Sequence, residues 1–254
     1  MPIVVDAAEA AKGRQAVEVK GVTRKARDAD SYYATLYMGA APDNAAASMG
    51  RPGGDKSLPQ AYLVEQPANA TVPPHFHDTD QFQVFVAGAA SFGKQMVRPL
   101  SLHYAGGHTP YGPIVTTDES AHYFTLRANW DSGAKPMPQS RDRLKPVRRC
   151  HRLAEDIAAA DMPAGRADVL PAEADGLGAA LFRLAPGQTE ALDLNVAGGG
   201  QYALVTAGSV THDGADLAEH SCLYRFAEEA PLTLTAGPAG AAVLLMQFPA
   251  HADG

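Results

Sequence analysis

The chain has 254 residues, 46% hydrophobic and 19% charged, with a formal net charge of −7. This composition supports a sizeable core and excludes a disordered polyelectrolyte. It also argues against nucleic acid as a partner, because the densest basic cluster, 141–152, is short and interrupted by acid and proline.

In chain order, the opening MPIVVDAAEAAKG lacks the basic region and long apolar core of a secretory signal. Short segments rich in Val, Leu, Phe, Tyr and Thr follow, separated by Gly and Pro. QAVEVKGV, YYATLYMG, QAYLVEQ, QFQVFVAG, LSLHYAGG and HYFTLRAN lie in the first half. AALFRLAPG, QYALVTAG, SCLYRFA, APLTLTAG and AAVLLMQFP lie in the second. Many short strands at this spacing predict an all-β sandwich or barrel. Between the halves, KPMPQSRDRLKPV reads as a linker. CHRLAEDIAAAD (150–161) reads as a short helix, with Leu153 and Ile157 four apart among alanines. The expected division is a first domain over 1–140, a linker with the short helix over 141–170, and a second domain over 171–254. No run approaches the ~18 apolar residues of a membrane span. Cys150 and Cys222 form neither a disulfide framework nor a zinc-ribbon spacing. A cytoplasmic protein with free thiols is expected.

The halves match each other when Gly88 is laid over Gly208. DQFQVFVAGA then lies over GQYALVTAGS, and HYFTLRAN over AVLLMQFP. At the same offset His75 and His77 meet Asn195 and Ala197. The chemistry is therefore expected in the first half.

That half contains PPHFHDTDQFQVFVAG. On a strand, residues two apart share a face, so His75 and His77 project together, away from Phe76. Asp78-Thr79-Asp80 is turn-forming, and Gln81 opens the neighbouring antiparallel strand. Two imidazoles and one amide oxygen can converge there, a mixed nitrogen and oxygen set suited to a transition metal.

These residues resemble the first conserved pattern of the cupins: Gly, five residues, His-x-His, three or four residues, Glu, six residues, Gly. His75, His77, Gln81 and Gly88 match the spacing. Asn69 stands at the leading glycine, and Asn tolerates a left-handed turn; Gln81 replaces the glutamate. The resemblance implies two tandem double-stranded β-helix (jelly-roll) barrels, the second without the motif. It also implies a divalent ion (Fe, Mn, Ni or Zn) on His75, His77 and Gln81. The second cupin pattern falls on LSLHYAGGHTPYGPIV, where the family's histidine has three candidate counterparts: His108, ranked first, then Tyr111, then His103. His122 is a further candidate for an inward-facing position. Gln83 shares a face with Gln81, and Tyr62, Tyr104, Arg98 and Arg127 are candidate lining residues. An arginine beside the ion suits a carboxylate substrate. Trp130 reads as a packing anchor, and His151 and His251 as linker and terminal residues. The functions implied are a metal-dependent oxygenase, isomerase or lyase on a small organic acid or sugar-like molecule, or a non-catalytic small-ligand-binding or sensing protein. A homodimer formed through the first 40 residues is expected in either case.

Overall fold

The structure is a computed structural model that describes residues 1–17, 23–24, 32–43, 54–155, 157 and 163–250. It is built almost wholly of antiparallel strands, as the alternating apolar segments predict. The chain divides into two compact units. One is Gly13–Ile157; the other joins Met1–Lys12 to Ala158–Gly254.

In the Gly13–Ile157 unit a seven-stranded sheet faces a five-stranded one. At the centre of the larger sheet, Gln81–Gly88 lies between Leu102–Ala105 and Ala121–Arg127, and Gln60–Gln66 flanks the last of these. The register sets two rows of side chains across this sheet. One runs Tyr62, Thr125, Gln83, His103, and the next carries Gln60 and Arg127. Phe85, Phe92, Tyr111, Ile114 and Tyr123 form the apolar part of the interior. Phe82 and Val84, on the opposite face of the central strand, are also fully buried. The segment therefore reads as nearly continuous hydrophobic sequence rather than clean alternation.

In the other unit an eight-stranded sheet carries Cys222–Arg225, Gln201–His212 and Leu232–Gln247 in its middle. Its edge strand, Ile3–Val5, pairs with Cys222–Arg225, with Ile3 opposite Tyr224. The Asp6 side chain caps the short helix that follows, accepting from the backbone N–H of Ala8 and Glu9. The first twelve residues thus belong with the second half of the chain, whereas the sequence division placed them in the first domain.

The internal match survives in the pairing. Gly88 pairs with Ala121 and Gly208 with Ala241, an offset of 120 on both strands. Upstream the offset falls to 118. Thr71 faces Val115 and Thr189 faces Thr235, so the second unit holds two extra residues before Gln201. The alignment of His75 with Asn195 shifts accordingly. No histidine lies between Leu192 and Gln201 in either alignment. Asn69 has φ 55°, the left-handed conformation expected where it replaces a glycine.

The helix expected over 150–161 is corrected in its first part. His151–Ala154 is a strand paired with Leu102–Ala105, and most of the remainder lies outside the described residues. The pairing carries Leu153 opposite His103 and uses the backbone N–H and C=O groups that a helix would have used. This tertiary pairing overrides the helix propensity of the alanines. His251 and part of QAVEVKGV also lie outside the described residues.

Gly88 and Gly208 have φ of 68° and 70°. A Cβ at Gly88 would stand 1.7 Å from the Ser120 carbonyl oxygen, and one at Gly208 2.1 Å from that of Gly240. Gly88→Ala and Gly208→Ala are each expected to destabilise their own unit by more than about 2 kcal/mol. Urea denaturation midpoints measure this.

Candidate functional site

The histidine segment is held from both sides. His75 donates its backbone N–H to Tyr111 and accepts from it, at 3.1 and 3.0 Å, and His77 accepts from the backbone of His108 at 2.7 Å. This antiparallel bridge settles the parity. Tyr111 shares the face of His75, whereas His108 falls on the face of Phe76.

Both imidazoles have one nitrogen committed. His75 Nδ1 lies 2.8 Å from the Pro73 carbonyl oxygen, which only accepts, so Nδ1 carries the proton. His77 Nδ1 lies 2.8 Å from Asp131 Oδ1. Burial alone would raise the Asp131 carboxyl. The His77 hydrogen bond and the charges of Arg127 and Lys135 outweigh it and hold the group well below the usual carboxylate range. An ionised carboxylate also only accepts, so His77 Nδ1 is protonated too. Each ring is left with an Nε2 lone pair. The rings are 5.3 Å apart and both side chains are buried. Burial pushes the His75 imidazole down to about 4 and His77 in the same direction, so both are neutral at pH 7.

The Nε2 atoms meet a polar cluster. His75 Nε2 accepts from the Tyr111 hydroxyl at 2.8 Å, and that oxygen accepts from Gln81 Nε2 at 2.5 Å. Gln81 Oε1 accepts from Arg127 Nη2 at 2.8 Å, and the same Nη2 lies 3.2 Å from His77 Nε2. On the other edge of the guanidinium, Nη1 donates to Gln60 Oε1 at 2.5 Å and to Tyr62 Oη at 3.1 Å. Burial holds Tyr111 above its ordinary value, so its hydroxyl stays protonated. His75, His77, Tyr111, Tyr62 and Arg127 line a cavity of about 110 Å³, and Gln81 and Gln60 join it through the guanidinium. Val64, Val72, Ile114 and Tyr123 supply much of its apolar wall, and Arg127 is the only charged side chain among the described residues lining it.

Behind His77, Asp131 organises the approach. Besides the imidazole it accepts from the backbone N–H of Asp78 at 2.8 Å and of Gly133 at 2.7 Å. Lys135 Nζ stands 3.3 Å from Asp131 Oδ2 and 2.7 Å from Asp78 Oδ2. Asp80 pins the turn by accepting from Gly107 N–H and the Tyr104 hydroxyl.

The structure thus brings His75, His77, Gln81 and Tyr111 together. It does not bring His108, ranked first for the fourth ligand place, to the cluster: its ring packs 5.5 Å from Phe76, with Nε2 3.9 Å from Asp78 Oδ1. His103 is fully buried on the cavity side of its strand. It holds Gln83 Oε1 through Nδ1 at 2.9 Å, and its ring lies 4.8 Å from that of Tyr111. Gln83 itself lines the cavity. His122 is corrected: the odd-numbered residues of its strand, Tyr123, Thr125 and Arg127, line the cavity, so His122 projects to the other face. His151, read as a linker residue, sits in a strand with its ring 4.8 Å from His103. Trp130 anchors locally through Nε1 to the Ala41 carbonyl at 3.3 Å, with Lys56 over its ring. Asp131, Lys135 and Gln60 escaped the sequence reading. The only trace of Asp131 is an acid just past an apolar strand, in NWDSGAKP. Among the described residues no three His, Cys, Asp or Glu side chains form a metal-holding group. Any ion would therefore use the amide and phenol oxygens as well as the imidazoles.

No protein-family model and no curated protein sequence matches the chain. Solved structures do. Bacterial pirin YhhW from Escherichia coli, in complex with nickel(II), superposes with a TM-score of 0.61 at 12% identity, over 99% of this chain and 100% of that one. A candidate dioxygenase from Nostoc punctiforme gives 0.62 at 13% identity, over 97% of this chain and 82% of that one. GK1651 from Geobacillus kaustophilus gives 0.53 at 12% identity, over 95% and 98%. At such identities the likeness is one of fold, and the fold is the cupin jelly roll.

Asp131→Ala would leave the His77 Nδ1–H and the backbone N–H groups of Asp78 and Gly133 without their buried acceptor, and Lys135, 2% exposed, with Asp78 Oδ2 at 2.7 Å as its remaining carboxylate. It is expected to destabilise the Gly13–Ile157 unit by about 3–5 kcal/mol. Lys135→Met, which removes the other partner of the pair but leaves Asp131 its backbone donors, is expected to cost less. Chemical denaturation of the two variants tests the order.

Proposed function

We propose that the cavity of the Gly13–Ile157 unit is the site of a metal-dependent protein acting on a small organic acid. His75, His77 and Gln81 are the ligands, and Tyr111 stands in the fourth place in preference to His108 or His103. The observation that carries this reading is the commitment of both Nδ1 atoms to oxygen acceptors. That arrangement fixes the tautomer, orients the ring and leaves an Nε2 lone pair for an ion. The donor set fits a borderline divalent ion such as Fe, Mn, Ni or Zn. Such an ion, when bound, supplies Lewis-acid or oxygen chemistry. The chain's own residues supply the rest. Asp131 keeps His77 in its Nε2-basic tautomer, and Arg127 binds a carboxylate. The Tyr111 hydroxyl, which donates to His75 Nε2 in this structure, would turn its proton away to leave that lone pair to the ion. The apolar wall formed by Val64, Val72 and Ile114 limits water. The reaction falls within the oxygenase, isomerase and lyase classes.

One observation favours a second reading, that of a small-ligand-binding cupin without catalysis. Arg127 already satisfies Gln81 Oε1, which gives the cavity a closed hydrogen-bond network of its own. Metal analysis separates the two. Protein purified without a histidine tag is expected to hold about one transition-metal ion per chain, lost in His75→Ala and in His77→Ala but retained in His108→Ala. Wild-type protein that takes up no metal would leave the binding reading in its place.

A duplicated barrel, a cytoplasmic setting and a homodimer complete the proposal. No described helix is long and apolar enough to cross a membrane. Ile3–Val5 and Gln15–Val17 each pair on one side within their own chain and stand at the edge of a sheet, so either could extend that sheet into a partner copy. Sedimentation at micromolar concentration is expected to show twice the chain mass.

A further inference from the structure

Arg127 and a metal ion would draw on the same oxygen, Gln81 Oε1. The register places Arg127 opposite Gln60 on one neighbouring strand and beside Gln81 on the other. Nη2 sits 2.8 Å and Nε 3.2 Å from Gln81 Oε1, and Nη2 lies over the His77 ring, 3.1 Å from Nδ1 and 3.2 Å from Nε2. Two N–H groups of one guanidinium thus converge on Gln81 Oε1, and that oxygen's lone pairs can face those N–H groups or an ion but not both at full strength. A guanidinium and a divalent cation within contact distance also repel strongly in a buried setting. The opposite edge of the guanidinium meets Gln60 and Tyr62, and Tyr62 and Arg127 both line the cavity. A ligand there would find one cation set in a largely apolar wall. That combination selects a small apolar carboxylate, which a guanidinium grips with two parallel N–H···O bonds.

From this we infer that Arg127 is an exchange switch coupling metal and substrate. A small carboxylate entering the cavity takes the guanidinium, and this releases Gln81 Oε1 to the metal and draws the cation off the face of the His77 ring. The two ligands therefore bind with positive coupling, and by linkage each strengthens the other equally. The inference rests on the metal reading above and adds to it the substrate class and the order of events. In the absence of carboxylate the arginine holds that oxygen and metal binds about tenfold less tightly.

The test uses the full chain, stripped with a chelator and titrated with nickel(II) in a calorimeter, with and without saturating butyrate. In wild-type protein butyrate is expected to tighten nickel binding about tenfold, within the usual range of coupling between sites. Arg127→Met is expected to bind nickel about tenfold tighter than wild type without butyrate, and to be indifferent to butyrate. Arg127→Gln serves in its place if the methionine variant does not fold. Equal nickel affinity in wild type and variant overturns the inference and leaves the metal site standing. Butyrate that tightens nickel equally in both proteins also overturns it, because the carboxylate would then be ligating the metal directly. If neither protein binds nickel under any condition, the metal site itself is refuted, and the inference with it.

Discussion

The cluster depends on one buried carboxylate. Asp131 accepts from an imidazole, two backbone N–H groups and an ammonium. Those contacts draw the loop that follows the Ala121–Arg127 strand against the histidine segment. Three consequences follow. His77 is locked in one tautomer, the start of the turn at Asp78 is fixed, and Lys135 is buried without an isolated charge. A surface ion pair would contribute little to any of this. Here both partners are out of water, so each is strongly constrained to the other. The chemistry of His77 Nε2 is decided by an atom on the far side of its own ring.

The fold was largely legible in the sequence because period-two apolar segments and punctuating glycines are local signals. Gly88 and Gly208 marked equivalent tight crossings, and the structure finds both at positive φ against a carbonyl oxygen. The pairing of His75 with His77 followed from parity along one strand. What the sequence left open is pairing across strands. His108 looked best placed in one dimension, yet the bridge between His75 and Tyr111 turns it to the other face. His122 failed for the same reason, as a one-residue parity error exchanges the two faces of a sheet. His151–Ala154 was read as helix because alanines dominate its neighbourhood, and only the partner strand Leu102–Ala105 shows otherwise. Asp131 and Lys135 lie beyond the motif, and their role depends entirely on where a loop returns.

The two units show how one framework is either filled or left open. Gln201 and Gln247 occupy the places of Gln81 and Arg127 at the offset of 120, and they hydrogen-bond directly to each other at 2.5 Å. Leu223 replaces His103, in a core of Leu, Val and Ala side chains. No arginine or histidine stands there; Gln247 Nε2 donates to the Gly176 and Val196 carbonyls, and Gln201 Oε1 is buried without a partner. In the Gly13–Ile157 unit the same row keeps a cation, and with it a reason to hold a cavity open.

The pairing of Ile3 with Tyr224 has a consequence for biosynthesis. The partner of the first strand emerges from the ribosome only after some 220 further residues, roughly 10 to 40 s at ordinary elongation rates. During that interval the Gly13–Ile157 unit can form from contiguous sequence, while Ile3–Val5 stays unpaired at its amino-terminal side. The barrel that carries the histidines is thus the first that can be completed on the nascent chain. The other closes later, when Ile3–Val5 meets a strand made some 220 residues after it.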